Sequence, residues 1–119
     1  MSKLTARQLF LVSLCALAVA QAAWSNPAAA SATTAGTIYN IMPSAGGTLF
    51  FSQAGTRTTT PTCTSENRWV INVTTPAGQT LAAALITAYS LGKQIEIHGS
   101  GDCRDYSTTE SVDYFRILN

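Results

Sequence analysis

Residues 75–99 read TPAGQTLAAALITAYSLGKQIEIHG, and they contain the predicted helix of the domain together with the strand that follows it. Thr75 suits an N-cap, Pro76 suits the first position of a helix, and Gly92 suits the left-handed position after the last turn. The apolar positions between them share one face of the predicted helix: Leu81, Leu85, Ala88 and Gly92. Alternation resumes directly afterwards and predicts a strand at 94–98, with Ile95 and Ile97 on its buried face.

Four more strands are predicted from alternating or β-branched segments, at 37–42, 48–52, 68–74 and 112–118. Gly46 and Gly47 stand between the first two of these segments, which predicts a hairpin turn. In the last segment the alternation breaks near Asp113 and Tyr114, which predicts a β-bulge. The expected order along the chain is three strands, one helix and two strands.

This order predicts a mainly β domain with one helix, folded as a five-stranded OB-like barrel of order β-β-β-α-β-β. Closure into a barrel would hide the sheet edges, and the helix would cover one end. The alternative is an open α+β sheet with the helix packed across one face. The predicted core consists of Ile41, Phe51, Trp69, Ile71, Val73, Leu81, Leu85, Ile95, Ile97 and Ile117.

The amino-terminal segment has the anatomy of a secretory signal peptide. Its first eight residues include Lys3 and Arg7 and no acid, an apolar run follows, and Ala20-Gln21-Ala22 supplies small residues for cleavage. The apolar run is too short to span a bilayer. The predicted organisation is a signal peptide at 1–22, a flexible arm at 23–35 and an OB-like domain at 36–119. We therefore expect an exported protein, periplasmic or secreted, with no membrane span after cleavage.

After cleavage the chain is almost neutral and sparsely charged, with five basic and six acidic side chains. It has no basic cluster that could follow a phosphate backbone, which argues against nucleic acid as a partner. The same sparsity leaves no polybasic patch for anionic lipid.

Cys63 and Cys103 are the cysteines that remain after the leader is removed. An even pair in an exported protein is typical of a disulfide, and closing a loop of about 40 residues would stabilise the domain by about 4 kcal/mol. A metal site would need further ligands, whereas the chain has one histidine, His98, and no CxxC spacing. We expect a Cys63–Cys103 disulfide, no metal and no cofactor.

His98, Ser100 and Asp102 are the residues most suggestive of catalysis. Spaced two apart along a strand and its exit, they point side by side, whereas a triad needs the base within hydrogen-bond reach of both partners. The carboxylates near the last loop match no calcium-loop spacing, and basic residues lie among them: Asp102, Asp105, Glu110 and Asp113. We therefore expect neither an enzyme nor a calcium site.

The run TPAGQTLAAALITAYSLGKQIEIHGSGDC, residues 75–103, resembles the B-subunit-like proteins related to subtilase cytotoxin and pertussis-type toxins. The resembling part of the chain extends from Cys63 to Cys103. The resemblance implies an OB-type barrel, a homo-oligomer in the form of a pentameric ring, and binding of cell-surface glycans. This chain lacks the longer C-terminal segment and the second disulfide of those toxins, and their sugar-binding positions have no residue-by-residue match here.

Aromatic and hydroxyl side chains together suit sugar recognition, and they cluster in two loops, 44–48 and 53–62, beside two aromatic residues. The predicted ligand-binding residues are Tyr39, Ser44, Thr48, Phe50, Thr56, Arg57 and Thr58. We expect a small exported binding domain whose ligand is a glycan. The alternative is a periplasmic structural or inhibitory protein that acts through protein–protein contacts.

Overall fold

The computed structural model describes residues 29–119. It contains five strands and one helix: β1 (Gly36–Pro43), β2 (Thr48–Gln53), β3 (Trp69–Asn72), α1 (Pro76–Ser90), β4 (Gln94–Gly99) and β5 (Val112–Ile117). The mainly β class and the order β-β-β-α-β-β confirm the prediction. The predicted signal peptide and the start of the predicted arm, 1–28, lie outside the described residues. Within 29–119, no helix has the length and apolar character needed to cross a membrane.

The five strands form one antiparallel sheet in the order β3-β2-β1-β4-β5. β1 and β2 form the predicted hairpin, and the amide of Ser44 donates to the carbonyl of Thr48 (2.8 Å) to close its turn. A bulge in β1 between Tyr39 and Met42 places Asn40 in the left-handed region, at φ 53°. The extra residue bends β1, which pairs with β2 along its length and with β4 only near its start.

The predicted closed barrel is wrong, because the sheet is open. Its edge strands, β3 and β5, approach each other at a single parallel bridge between Val70 and Ser111, the residue before β5. The predicted bulge in β5 follows at once, since Val112 pairs with Gly99 and the next ladder pair skips Asp113. A bulge bends the strand that contains it, so β5 turns away from the short strand β3 before a ladder can form. The open sheet agrees with the alternative stated for the fold.

α1 begins and ends where the sequence predicts. The Thr75 hydroxyl accepts a hydrogen bond from the amide of Gly78 (3.0 Å), and Pro76 occupies the first turn. At the other end Gly92 has φ 64°, and the amide of Lys93 reaches back to the carbonyl of Ala88 (2.9 Å). These contacts satisfy backbone groups that the helix itself leaves without a partner.

The core lies where α1 packs on β3, β1 and β4. Leu85 of α1 is fully buried in one cluster with Phe51 of β2 and Ile95 of β4. Six of the predicted core residues belong to this cluster, and Ile41, Val73 and Leu81 are partly buried against it. The prediction is wrong for Ile117, which is 44 % exposed. Ile117 lies at the end of the edge strand β5, beyond the strands on which α1 packs.

Residues 31–34, which fall within the predicted arm at 23–35, are hydrogen-bonded to the rest of the domain. The amide of Thr33 donates to the carbonyl of Ile97 (2.9 Å), and that of Thr34 donates to the carbonyl of Thr56 (3.0 Å). The segment therefore lies between β4 and the chain that follows β2, and its backbone groups have partners on both sides. Ser31 is 1 % exposed. The folded domain starts no later than this residue.

Cys63 and Cys103 form the predicted disulfide. The bond joins the segment before β3 to the loop that follows β4. A disulfide-bonded domain is typical of a protein that folds outside the cytoplasm.

Candidate ligand-binding site

The residues predicted to bind a ligand lie at opposite ends of β2. Ser44 and Thr48 lie at its start, in and beside the hairpin turn, whereas Thr56, Arg57 and Thr58 follow its end. A strand of this length spans about 20 Å, so side chains at the two ends do not meet around one small ligand. The structure therefore separates the predicted residues into two groups.

Arg57 points into the domain. Its Nη2 lies 2.6 Å from Glu110 Oε2, and its guanidinium carbon lies 3.7 Å from the ring centre of Trp69. Only 7 % of the Arg57 side chain is exposed, and none of the Glu110 side chain. Burial lowers the pKa of the Arg57 guanidinium below its ordinary value, and the hydrogen bond and charge of Glu110 oppose that shift. Arg57 therefore packs against the core, and its charge is paired with Glu110 instead of facing a ligand.

Glu110 is the centre of a buried hydrogen-bond network. Its Oε1 accepts hydrogen bonds from the amides of Ser31 (3.1 Å) and Gly101 (3.0 Å). Its Oε2 accepts from the Ser31 hydroxyl as well as from Arg57, and Arg57 Nε donates to the same hydroxyl (2.9 Å). The network ties the amino-terminal segment to the core.

Thr56 and Thr58 are exposed, but their hydrogen bonds hold the amino-terminal segment. Thr58 Oγ1 accepts from the amide of Ala32 (2.9 Å), and the amide of Thr56 donates to Thr34 Oγ1 (2.9 Å). At the same end of β2, the side chain of Gln53 donates to the carbonyl of Thr34 (2.8 Å). The first half of the predicted 53–62 loop therefore holds residues 31–34 in place through hydrogen bonds.

The predicted aromatic residues differ in exposure. Tyr39 lies opposite Ser52 on β1 and is 49 % exposed. Phe50 lies opposite Met42 on β2 and is buried. Phe50 can therefore act on a ligand only through the side chains that cover it.

A polar pocket of about 220 Å³ lies directly before β3. It is lined by Thr60, Thr64, Ser65, Glu66 and Asn67, which we call the loop pocket. Each of these side chains carries a hydroxyl, a carboxylate or an amide. Thr60 belongs to the predicted Thr-rich loop, and the other four residues follow it along the chain.

Arg68 connects Glu66 of the loop pocket to two aromatic rings. The guanidinium carbon of Arg68 lies 4.0 Å from the ring centre of Phe50 and 5.6 Å from that of Tyr106. The two rings meet edge to face, with their centres 4.9 Å apart. Arg68 also forms an ion pair with Glu66 of the loop pocket. Tyr106 is 43 % exposed, and it is linked to the pocket through Arg68.

The loop that carries Tyr106 is held in position from both sides. The disulfide fastens its start, and the amide of Ser65 donates to the carbonyl of Thr108 (3.0 Å). The Thr108 hydroxyl donates to Glu66 (3.3 Å), and the amide of Thr109 donates to the carbonyl of Tyr106 (3.0 Å). A ligand would meet a surface that is already formed, which lowers the entropic cost of binding.

The side chains considered for catalysis do not converge. His98 stacks on Tyr114, with ring centres 4.4 Å apart and planes at 11°. The Ser100 hydroxyl donates to Asp102 Oδ1 (2.7 Å), so these two residues pair with each other. Of the four carboxylates near the last loop, Glu110 is buried against Arg57. Among residues 29–119, no three His, Cys, Asp or Glu side chains are grouped so that they could hold a metal ion.

Sequence reasoning missed most of this site. Arg68 is predicted only as part of the strand at 68–74, and no role is predicted for residues 64–67. Two signals in the sequence could have found these residues. One is the Glu66–Arg68 spacing, which allows an ion pair, and the other is Cys63, whose disulfide to Cys103 brings the loop with Tyr106 close.

Comparison of the chain with protein-family models, with curated proteins and with solved structures found no match.

Proposed function

We propose that this chain is an exported binding domain that recognises a glycan at the loop pocket and the ring of Tyr106. The observation that carries the proposal is a hydroxyl-, amide- and carboxylate-lined pocket whose Glu66 pairs with Arg68, the arginine that also lies near the half-exposed ring of Tyr106. Sugars present hydroxyl groups that exchange hydrogen bonds with such polar side chains. Their C–H faces pack on aromatic rings, which combine an apolar body with a polar tip in tyrosine.

Two further observations support this function. The predicted signal peptide and the disulfide agree with a protein that meets its ligand outside the cytoplasm. The resemblance of residues 75–103 to toxin B subunits favours glycans as the ligand class. The loop pocket lies directly before β3 and is fastened by the disulfide, so its shape is set by the fold.

A glycan array probed with the mature protein tests the proposal, followed by NMR titration of each glycan that binds. We expect Tyr106→Ala to weaken binding at least about tenfold, because it removes the half-exposed aromatic residue of the proposed site. Tyr114→Ala is the matched control, since Tyr114 is 47 % exposed but lies on β5, outside the site. Unchanged binding by Tyr106→Ala, or the absence of binding to any glycan, would contradict the proposal.

Protein–protein contact through α1 is the second candidate function. α1 carries no charged side chain, and Ile86 and Tyr89 are about half exposed on it, at 46 % and 53 %. Leu91, the residue after the helix, is 67 % exposed. Sedimentation of the mature protein and capture of partners from the producing cell test this alternative, with Ile86→Lys as the variant that should abolish association.

A further inference from the structure

The open sheet leaves a cleft where β3 and β5 diverge. Its volume is about 300 Å³, and its floor consists of Ile71 of β3, Leu81 of α1 and Val112 of β5. We call it the seam cleft. The seam cleft and the loop pocket share no lining residue. An apolar floor of this size suits a short aliphatic chain.

The rim of the seam cleft carries more negative than positive charge. Two carboxylates, Asp105 and Asp113, stand against the single guanidinium of Arg104. Arg104 Nε lies 4.0 Å from Asp105 Oδ2, which is the outer limit of an ion pair. Asp113 forms no ion pair with any residue of the described chain, 29–119. The rim therefore has one carboxylate that takes part in no ion pair among residues 29–119.

The bulge in β5 sets the position of Asp113. Val112 and Tyr114 pair with Gly99 and His98 in the ladder, and Asp113 is the residue left over. Bulges redirect side chains and occur often beside binding sites. Here the bulge keeps Val112 buried in the floor while it places a carboxylate at the rim.

The amino end of α1 also borders the seam cleft, but it offers little to an anion. Pro76 has no amide hydrogen, and the amide of Gly78 donates to the Thr75 hydroxyl (3.0 Å). The amide of Gln79 donates to the carbonyl of Thr75 (2.9 Å). In this first turn only the amide of Ala77 remains available, so the carboxylates dominate the polar rim.

From these features we infer that the seam cleft docks a lysine side chain of a partner protein. The four-carbon stem lies on Ile71, Leu81 and Val112, and the ammonium group is placed between Asp105 and Asp113. Lysine suits the cleft better than arginine because the two carboxylates belong to different elements. An ammonium group donates in three directions, whereas the planar guanidinium fork matches a single carboxylate.

An NMR titration of the labelled mature protein tests the inference with two matched peptides, acetyl-Ala-Lys-Ala-amide and the same peptide with norleucine in place of lysine. We expect saturable shifts of amides in 71–81 and 112–113 with the lysine peptide, and at least about fivefold weaker binding of the norleucine peptide. Added salt should weaken binding of the lysine peptide and leave binding of the norleucine peptide unchanged.

Variants of the cleft complete the test. Asp113→Asn should weaken binding of the lysine peptide to the level seen with the norleucine peptide. Asp102→Asn should leave binding of the lysine peptide unchanged, because Asp102 is an exposed residue outside the cleft. Equal binding of both peptides, full binding by Asp113→Asn, or the absence of saturable shifts would overturn the inference. The titration uses no glycan, so its failure is independent of the glycan proposal.

Discussion

Arg57 and Glu110 are 53 residues apart in the chain, yet the Arg57 Nη2 and Glu110 Oε2 atoms lie 2.6 Å apart inside the domain. Both charges have left water, which costs several kcal/mol for each ion unless it is paired and hydrogen-bonded. Each side chain is tolerated in the interior because the other is present. The buried Arg57–Glu110 ion pair therefore holds the loop after β2 against the segment before β5.

Replacing Glu110 by glutamine should destabilise the domain by about 3–5 kcal/mol, because the Arg57 charge would remain buried without its counter-ion. Urea unfolding of the mature protein measures the loss. Glu96→Gln is the matched control: Glu96 pairs with Arg116, whose side chain is 64 % exposed. Exposed pairs contribute about 0–1 kcal/mol. Equal losses in the two variants would contradict a special role for the buried pair.

Ser31→Ala should destabilise the domain by about 1–3 kcal/mol, because it removes a buried hydroxyl that donates to Glu110 and accepts from Arg57. The same variant should increase hydrogen exchange at the amide of Thr33, which pairs with β4. Ser107→Ala, at an exposed position in the turn after Tyr106, is the control and should stay near wild type. Unchanged exchange at Thr33 would mean that residues 31–34 are held by other contacts.

Leu85→Ala should cost about 2–5 kcal/mol, since Leu85 is fully buried and the surrounding strands cannot close the cavity. Its neighbour Ile86 is 46 % exposed, so Ile86→Ala should change stability far less. Leu85→Asp should be more harmful than Leu85→Ala, because it would bury an unpaired charge. Thermal and urea unfolding compare the three variants. A larger loss for Ile86→Ala than for Leu85→Ala would show that the helix face is misassigned.

Gly78→Ala should destabilise the domain, although alanine is the better helix former by about 1 kcal/mol. A Cβ atom at Gly78 would overlap the carbonyl oxygen of Asn72, which is backbone and cannot turn aside. Overpacking of this kind costs about 1–3 kcal/mol. Gly46→Ala is the control, since its Cβ would meet only the Ser44 hydroxyl at 3.5 Å. Stabilisation by Gly78→Ala would contradict the close approach of α1 to the end of β3.

Removing the disulfide by Cys63→Ala and Cys103→Ala together should destabilise the domain by about 4 kcal/mol, because a closed loop of 40 residues restricts the unfolded chain. Hydrogen exchange should rise most in residues 104–109, which carry Tyr106. Wild-type protein with and without reductant is the companion measurement and should show the same difference. Labelling of both thiols in unfolded, unreduced protein would contradict the bond.

The elements of this fold could be predicted because they depend on neighbours in the sequence. The caps at Thr75 and Gly92 satisfy backbone groups of the adjacent turn, and alternation around Ile95 and Ile97 reports a strand with one buried face. The bulge near Asp113 is also visible in the sequence, as a break in the alternation of segment 112–118. The disulfide followed from the number of cysteines and the expected compartment.

The candidate site could be predicted only in part, because its members come from distant segments. Phe50 and the loop at 53–62, which includes Thr60, are predicted from residue type alone, but nothing near them in the sequence indicates that Arg68 lies above the Phe50 ring. Arg57 is predicted to bind a ligand because it stands in a polar loop, but the structure places its side chain in the interior. Its partner, Glu110, stands in another polar loop, and the burial of both becomes visible only when the loops meet.

Local sequence accounts for the class and order of the elements, the limits of α1 and the hairpin, since short-range hydrogen bonding and side-chain periodicity specify each of these. The disulfide follows from the number of cysteines and the expected compartment. Whether the sheet closes, where Ile117 lies and which polar side chains enter the interior depend on how distant segments pack together. Closure depends on the accumulated bend of β1 and β5, which no single segment records. Burial of a charge depends on a partner brought from far along the chain, because the energy that permits it exists only in the folded pair.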